Sequence, residues 1–277
     1  MAKAIGLIGN FKGKVGNMVG YQIPDSNTGN TQGIRIYQPV VKNPKTSAQA
    51  EQRAKLAPIN ATYRLLKSII DRGNEGLPYG NKSRLAWLKS AFKAPYMPWI
   101  EKGKAVDNPV GCQLTKGSLP SLTYLQREDF IEIDCNGLVA ETSLATVGAL
   151  SNALLAAYSF LKAGDQITIV QVGNVEGGMV QRTVSFEIDA TSAVAISNFT
   201  AAAGSIKFES DVTGFAGAVI VSREGDSGQH LRSTEMIQIA ATVTTDAPYD
   251  ATSKTAAVAS YMASAAGSTD WAEESIQ

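Results

Sequence analysis

Side chains able to act as a nucleophile and its base are scarce in this sequence. The 277 residues contain one histidine, His230, which follows Ser227 by three positions after the segment Gly225-Asp226-Ser227-Gly228. A serine and a histidine in the same predicted hairpin cannot approach each other as nucleophile and separately placed base. The segment therefore predicts a polar β-turn, not a catalytic pair.

Four carboxylates cluster further upstream, at Glu128, Asp129, Glu132 and Asp134. Alternation along a strand puts some of them on one face, and paired carboxylates can do acid–base work. A solvated strand face explains the same cluster, and this is the interpretation that the sequence favours. A hydrolase that uses these carboxylates or Ser227 is kept as a third hypothesis.

Metal and nucleotide sites with a recognisable sequence pattern are missing. One histidine and two cysteines, Cys112 and Cys135, exclude the HExxH and two-cysteine, two-histidine zinc patterns. Gly13-Lys14 is followed by Val15 and not by serine or threonine, which excludes a phosphate-binding loop of the Gly-x4-Gly-Lys-Ser/Thr type. A calcium-loop pattern is also absent. We expect no metal, no cofactor and no enzymatic activity.

The main positive signal is a mixture of basic and aromatic residues in the first part of the chain. Such a mixture can neutralise phosphates and stack on bases. It is also common on strands that pair with another subunit. The candidate contact residues, for nucleic acid or for a neighbouring subunit, are Lys12, Lys14, Tyr21, Arg35, Tyr37, Lys42, Lys45, Arg53, Arg64 and Lys67.

The charge is divided between two parts of the chain. Residues 1–105 hold 17 lysines and arginines against 5 aspartates and glutamates, a net charge of +12, whereas residues 106–277 hold 8 against 20, a net charge of −12. One interpretation is that the basic part faces a polyanion. The other is that the two parts attract each other, within one chain or between neighbouring chains.

The elements that position the basic residues begin with a glycine-rich hairpin. Glycine recurs every three or four positions in residues 6–20, which predicts tight turns and strands pressed against another surface. Residues 14–23 and 33–41 alternate as strands. The turn-forming residues 24–33 between them predict a long loop.

Two helices follow. Thr46 with Gln49 three residues later forms a capping box, which predicts a helix from there to about Arg72. Pro58 is expected to kink or split this helix. A second helix is predicted at 82–94, and a domain boundary at 95–111.

The rest of the chain reads mainly as β-structure. The pattern predicts a helix at about 143–161, a helix of small residues from Asp250 to about 266, and eight strands, at 121–126, 129–135, 166–173, 179–188, 193–199, 205–212, 216–223 and 231–243. The predicted fold class is α+β: an N-terminal β-hairpin plus helices, then a mainly antiparallel β-sandwich with one inserted helix. The predicted domains are 1–105, 112–244 and a tail, 245–277, that is either loose or docked on a neighbour.

Targeting signals are not visible. No apolar run approaches the 18 residues of a membrane span, and the Met1-Ala2-Lys3 start is not followed by an apolar signal core. We therefore expect no membrane partner, and location in a virion or in the cytoplasm of a host.

The opening resembles an uncharacterised family common in Bacteroidota and their phages and prophages. The resemblance rests on the pattern Gly-x-Phe-x-Gly-Lys-Val-Gly-Asn-x-Val-Gly at residues 9–20 and on Asn43-Pro44-Lys45-Thr46-Ser47-Ala48-Gln49 with Arg53 further on. Less specifically, residues 218–223 and 231–233 look like the family's closing strands. The resemblance implies a phage-linked protein with a β-sandwich C-terminal part, and it implies no activity.

Two hypotheses follow from these observations. The preferred one is a non-enzymatic structural protein of a phage virion or similar self-assembling particle. Its basic N-terminal region would pack on neighbouring subunits, on other virion proteins or on packaged nucleic acid. The alternative is a free DNA- or RNA-binding protein.

Overall fold

The computed structural model describes residues 13–25, 29–37, 46–138, 144–175, 178–202, 204–209, 214–225, 228–240 and 250–266. The chain divides into two compact units, residues 1–45 and 46–277. The described residues form five helices and several antiparallel sheets, which confirms the α+β class. No helix in these ranges has the length and apolar character needed to cross a membrane.

The first unit is a three-stranded antiparallel sheet. Its strands are β1 (Gly13–Val15), β2 (Met18–Asp25) and β3 (Gly29–Ile36), in the order β1-β2-β3. Pairing of β2 with β3 continues to Asp25 opposite Gly29, so the loop predicted at 24–33 is wrong in extent. Strand pairing uses backbone N–H and C=O groups, and turn-forming residues carry these groups too, so residues 24–33 can take part in it.

The helices of the second unit begin at the predicted cap. Thr46 Oγ1 accepts a hydrogen bond from the Gln49 N–H at 3.3 Å, and α1 (Ser47–Leu65) follows. The helix runs through Pro58, and the break lies instead at Leu66, before α2 (Lys67–Ile70). The next helix, α3 (Asn81–Ala91), confirms the prediction at 82–94.

Two antiparallel sheets make up the β part. The first has the order β11-β10-β6-β7, from β6 (Gln166–Val175), β7 (Gly178–Glu187), β10 (Gly214–Glu224) and β11 (His230–Arg232), with β12 (Gln238–Ile239) also paired to β10. The second has the order β4-β5-β9-β8, from β4 (Tyr124–Gln126), β5 (Phe130–Asp134), β8 (Phe199–Ala202) and β9 (Ser205–Glu209). The strand predicted at 193–199 is wrong, because residues 193–198 carry only an isolated bridge between Thr146 and Ala195.

The central strands β6 and β10 are buried on both faces. Ile167, Ile169 and Val219 join one apolar cluster with the second sheet and with α4 (Val147–Ala157), the predicted inserted helix. Their sequence neighbours Val170 and Ala218 join another cluster with α1, α2 and α3. Successive side chains on a strand point to opposite faces, so one strand pair supplies both cores.

The helices at 46–91 therefore belong with the sheets. Ile59, Leu66 and Trp87 share their cluster with Val172 of β6. The predicted boundary at 95–111 does not coincide with the division between the two units, which falls after Lys45. The apolar face of the helices needs the sheet surface in order to be buried.

The predicted helix near the C-terminus is present and packs on α1. This helix, α5 (Ala251–Ala266), is preceded by Asp250, whose Oδ1 accepts a hydrogen bond from the Ser253 N–H at 2.6 Å. Ala257 is fully buried, and Lys254 Nζ lies 3.1 Å from Glu51 Oε1 of α1. The described part of the tail predicted at 245–277 thus docks within its own unit.

A buried ion pair ties the start of β6 to β10. Asp165 is almost fully buried, and its carboxylate accepts two hydrogen bonds from the Arg223 guanidinium, at 2.6 and 2.7 Å. The same guanidinium donates to the Phe160 carbonyl at 2.8 Å. Removing one partner would leave the other with an uncompensated charge.

We expect Asp165→Asn to lower the free energy of unfolding by about 3 kcal/mol, because Arg223 loses its buried counter-charge. Urea denaturation measures the change. The control is Glu101→Gln, which removes the exposed pair between Glu101 and Lys104 and should cost less than about 1 kcal/mol. Equal, small losses for both variants would contradict the role given to the buried pair.

A second buried carboxylate is held without a complete set of partners. Glu235 is 4% exposed, and its Oε1 atom has no hydrogen-bond partner among the described residues. Burial raises the pKa of Glu235 above its ordinary value of 4.5. Folding therefore favours the protonated side chain.

We expect Glu235→Gln to stabilise the protein increasingly as the pH rises above about 4.5. In the unchanged chain the stability that this group contributes is complete below its unfolded pKa and is lost as the pH rises through its higher folded pKa. Denaturation of both proteins between pH 4 and pH 8 measures the difference, with Glu209→Gln, at an exposed carboxylate on β9, as the control. This account would be contradicted if the difference in the free energy of unfolding between Glu235→Gln and the unchanged chain became smaller as the pH rose.

Candidate functional site

The register of the N-terminal sheet sorts its side chains onto two faces. Residues directly opposite each other on antiparallel strands project to the same face. Lys14 pairs with Val19, which pairs with Arg35. The neighbouring row, which projects to the other face, is Val15, Met18 and Ile36.

The first of these faces, here called the basic face, holds Lys14, Tyr21, Arg35 and Tyr37. The Lys14 ammonium lies 3.6 Å from the centre of the Tyr37 ring, within the range of a cation–π interaction. The Tyr21 ring lies across Gly33, where a Cβ atom would be 2.5 Å from the ring. Glycine is required there for the ring to lie close to the strand.

The other face, here called the apolar face, carries three side chains that are largely exposed. The exposed fractions are 59% for Val15, 40% for Met18 and 80% for Ile36. Of the residues in this unit whose burial is described, Gly20 alone is buried. Residues 13–21 and 33–37, whose burial is described, therefore form no hydrophobic core of their own.

The turn between β1 and β2 sets the register that creates these faces. It has two residues, and the first, Gly16, has φ of +57°. A type II′ hairpin turn has glycine with positive φ at that position. The conformation of this turn therefore explains why a glycine stands at position 16.

The ten predicted contact residues fall into three groups. Lys14, Tyr21, Arg35 and Tyr37 share the basic face, whereas Lys12, Lys42 and Lys45 lie outside the described residues. Arg53 and Arg64 are exposed on α1, and Lys67 is exposed on α2, all in the second unit.

Lys67 differs from the other candidates because its charge is compensated. Its ammonium donates to the Asp71 carboxylate, which also accepts a hydrogen bond from the Tyr63 hydroxyl at 2.9 Å. The hydrogen bond to Asp71 raises the pKa of Lys67. Lys67 is consequently less available to an outside anion than its exposure suggests.

The carboxylates considered for acid–base work have structural partners or face solvent. Glu132 Oε2 accepts a hydrogen bond from Arg127 at 3.2 Å, and its Oε1 accepts one from the Ser205 hydroxyl at 3.0 Å. Asp134 accepts a hydrogen bond from the Asn136 N–H at 2.9 Å. These contacts favour the solvated strand face over a catalytic pair. Ser227 of the third hypothesis lies outside the described residues.

The two thiols are buried and free. Burial raises the pKa of Cys112 to about 12 and that of Cys135 to about 11. Both sulfurs therefore stay protonated at neutral pH, and a protonated thiol is neither a nucleophile nor a metal ligand. Within the described ranges, no group of three histidine, cysteine, aspartate or glutamate side chains is placed to hold a metal ion.

The apolar face is a candidate contact surface that the sequence-based residue list does not contain. Val15, Met18 and Ile36 were counted there as strand residues, and their alternation with Lys14 and Arg35 was the signal that could have identified them. Comparison with known proteins adds no evidence on function, because no protein-family model, curated protein or solved structure matches this chain.

Proposed function

We propose that this protein is a non-enzymatic structural subunit of a phage virion or a similar self-assembling particle. In this proposal the N-terminal sheet packs on a neighbouring copy of the chain. The observation that carries the proposal is the exposed apolar face, formed by Val15, Met18 and Ile36 on a sheet without a described core.

The energetics of a small sheet support a partner. A sheet of a few strands needs a packed hydrophobic face for independent stability. Fully burying a valine, methionine or isoleucine side chain contributes about 1.5–3 kcal/mol. A partner that covers the apolar face would supply this contribution and offset the entropy lost when the strands are ordered.

The charges of the two units favour a second copy as that partner. Residues 1–45 hold 6 lysines and arginines against 1 aspartate, a net charge of +5, and residues 46–277 hold 19 against 24, a net charge of −5. Opposite charges on two surfaces of one chain attract between identical copies. Exposed Glu128, Asp129 and Glu209 lie near one end of the second sheet, beside Arg127 and Lys207, and are the candidate acidic contacts on that copy.

The phage context is supported by the resemblance of residues 9–20 and 43–53 to a phage and prophage family. A non-enzymatic role is supported by the carboxylates Glu132 and Asp134, which accept structural hydrogen bonds through both oxygens of Glu132 and through Oδ1 of Asp134. The protonated state of the two buried thiols supports the same conclusion.

The basic face favours a second candidate function, binding of nucleic acid. Lys14 and Arg35 share this face with the rings of Tyr21 and Tyr37. Cationic side chains beside aromatic rings can hold phosphates while bases stack. In this second function the copies pack through the apolar face alone, and the basic face contacts nucleic acid instead of the acidic residues of a neighbouring copy.

We expect the full chain to form assemblies whose mass rises with concentration, and Val15→Asp with Ile36→Asp to abolish them, because a charged apolar face cannot be buried in the interface. Size-exclusion chromatography with light scattering measures the mass. Val194→Asp is the matched control, since Val194 is 64% exposed in the second unit. A monomer at every concentration, or a double variant that assembles like the unchanged chain, would overturn the proposal.

Nucleic-acid binding is tested on the same double variant, so that assembly does not contribute. If the basic face binds single strands, the logarithm of the affinity falls linearly with the logarithm of salt concentration, with a slope of about −0.7 per phosphate neutralised. Adding Lys14→Ala and Arg35→Ala should reduce the slope by about 1.4 in fluorescence anisotropy. Absence of binding at low salt would eliminate this function and leave assembly through the apolar face.

A further inference from the structure

A cleft lies between the turn that follows α2 and the short strand β11. It has a volume of about 340 Å³, and its lining includes Arg72, Tyr79, His230 and Arg232. It belongs entirely to the second unit, and none of the ten candidate contact residues lines it. None of these four residues was singled out as a binding residue from the sequence.

The walls of the cleft are held in place by backbone hydrogen bonds. The Lys116 N–H donates to the Gly73 carbonyl at 2.8 Å, and the Glu75 N–H donates to the Lys116 carbonyl at 2.8 Å. On the other side, the Leu119 N–H donates to the Arg232 carbonyl at 2.9 Å. The turn and the strand are thus both fixed to residues 116–119, and the cleft is preorganised.

Arg72 and Arg232 both line the cleft. Neither Arg72 nor Arg232 forms an ion pair with a described carboxylate. Burial lowers the pKa of Arg232, Tyr79 opposes this shift, and the nearby charge of Arg72 adds to it. An anion placed between the two groups would relieve this repulsion.

The one carboxylate in the lining, Glu75, is directed at the wall. Its oxygen atoms accept hydrogen bonds from the Ser118 N–H at 2.8 Å, from the Ser118 hydroxyl at 2.9 Å and from the Arg232 N–H at 3.3 Å. These bonds hold the turn against β11. Because Glu75 is engaged in this way, Arg72 and Arg232 keep Tyr79 as a neighbour but have no ion-pair partner among the described carboxylates.

The remaining lining supplies flat and apolar surface. The rings of Tyr79 and His230 lie 5.9 Å apart between centres, and the Arg72 guanidinium lies 5.6 Å from the Tyr79 ring. Tyr79 is 51% exposed, and Leu77 and Pro78 continue the apolar surface. A planar ring can stack on such a surface.

We infer that this cleft binds a nucleotide, with its phosphate held by Arg72 and Arg232 and its base stacked on Tyr79 and His230. Arginine forks are suited to phosphate because they donate two parallel hydrogen bonds. An adjoining groove shares these four side chains with the cleft and is also lined by Glu187 and Glu224, beside the ion-paired Arg223. These two carboxylates repel further phosphates, so the site is suited to a monophosphate.

Isothermal titration calorimetry of the full chain with AMP, inorganic phosphate and adenosine tests the inference. We expect AMP to bind more tightly than either of its parts. Arg72→Ala should weaken AMP binding about tenfold or more, because a hydrogen bond to a charged group is lost. Arg72→Lys should restore only part of the affinity for AMP. Tyr79→Ala should weaken the binding of AMP and the binding of adenosine by the same factor.

The control is Lys93→Ala, which removes an exposed charge on the turn after α3, outside the cleft. Thermal unfolding of each variant confirms that it is folded. No AMP binding, AMP binding no tighter than phosphate, or equal weakening by Lys93→Ala would each overturn the inference. A single-stranded oligonucleotide with a 5′ phosphate distinguishes the source of the ligand when it is titrated into the variant with Lys14→Ala and Arg35→Ala, in which the basic face does not contribute. Tighter binding than AMP then indicates a strand end, and weaker binding indicates a free nucleotide.

Discussion

The strand pair β6–β10 carries side chains of two hydrophobic cores at once, and the second unit depends on this arrangement. Ile169 pairs with Val219 and faces the second sheet, whereas Val170 pairs with Ala218 and faces the helices. Because both layers are built on one strand pair, helices and sheets form a single unit. The N-terminal sheet has no comparable second layer among its described residues, and the proposal that a neighbouring copy covers it starts from this contrast.

Local signals in the sequence predicted much of the fold. The cap at Thr46, the inserted helix, the helix after Asp250 and most of the antiparallel strands depend on neighbouring residues, and each was found close to its expected place. The helix-on-sheet layer was not predicted, because it depends on packing between distant segments. A signal was present in the nearly continuous apolar runs at 167–172 and 216–221, which are typical of strands buried on both faces. At residues 193–198 the sequence predicted a strand that is not there. These residues alternate as a strand would, but the segment is irregular.

The candidate site was also predicted only in part, because part of it depends on local pattern and part on the folded structure. Strand alternation places Lys14, Tyr21, Arg35 and Tyr37 on one face, and this period of two can be read from sequence alone. Whether the other face is covered cannot be read in that way, because exposure is a property of the folded chain. The cleft is a still clearer case. Arg72 and Arg232 lie far apart in sequence and meet only because β11 returns beside the turn that follows α2.

The central claim is that the N-terminal sheet is completed by a neighbouring copy. Amide hydrogen exchange, followed in dilute and in concentrated protein, tests it most directly. The account predicts that amides of β6 and β10 are protected at every concentration, whereas those of β2 and β3 become protected only as the protein assembles. Equal and strong protection of β2 and β3 in a dilute monomer would contradict the account, because the sheet would then be stable without a partner.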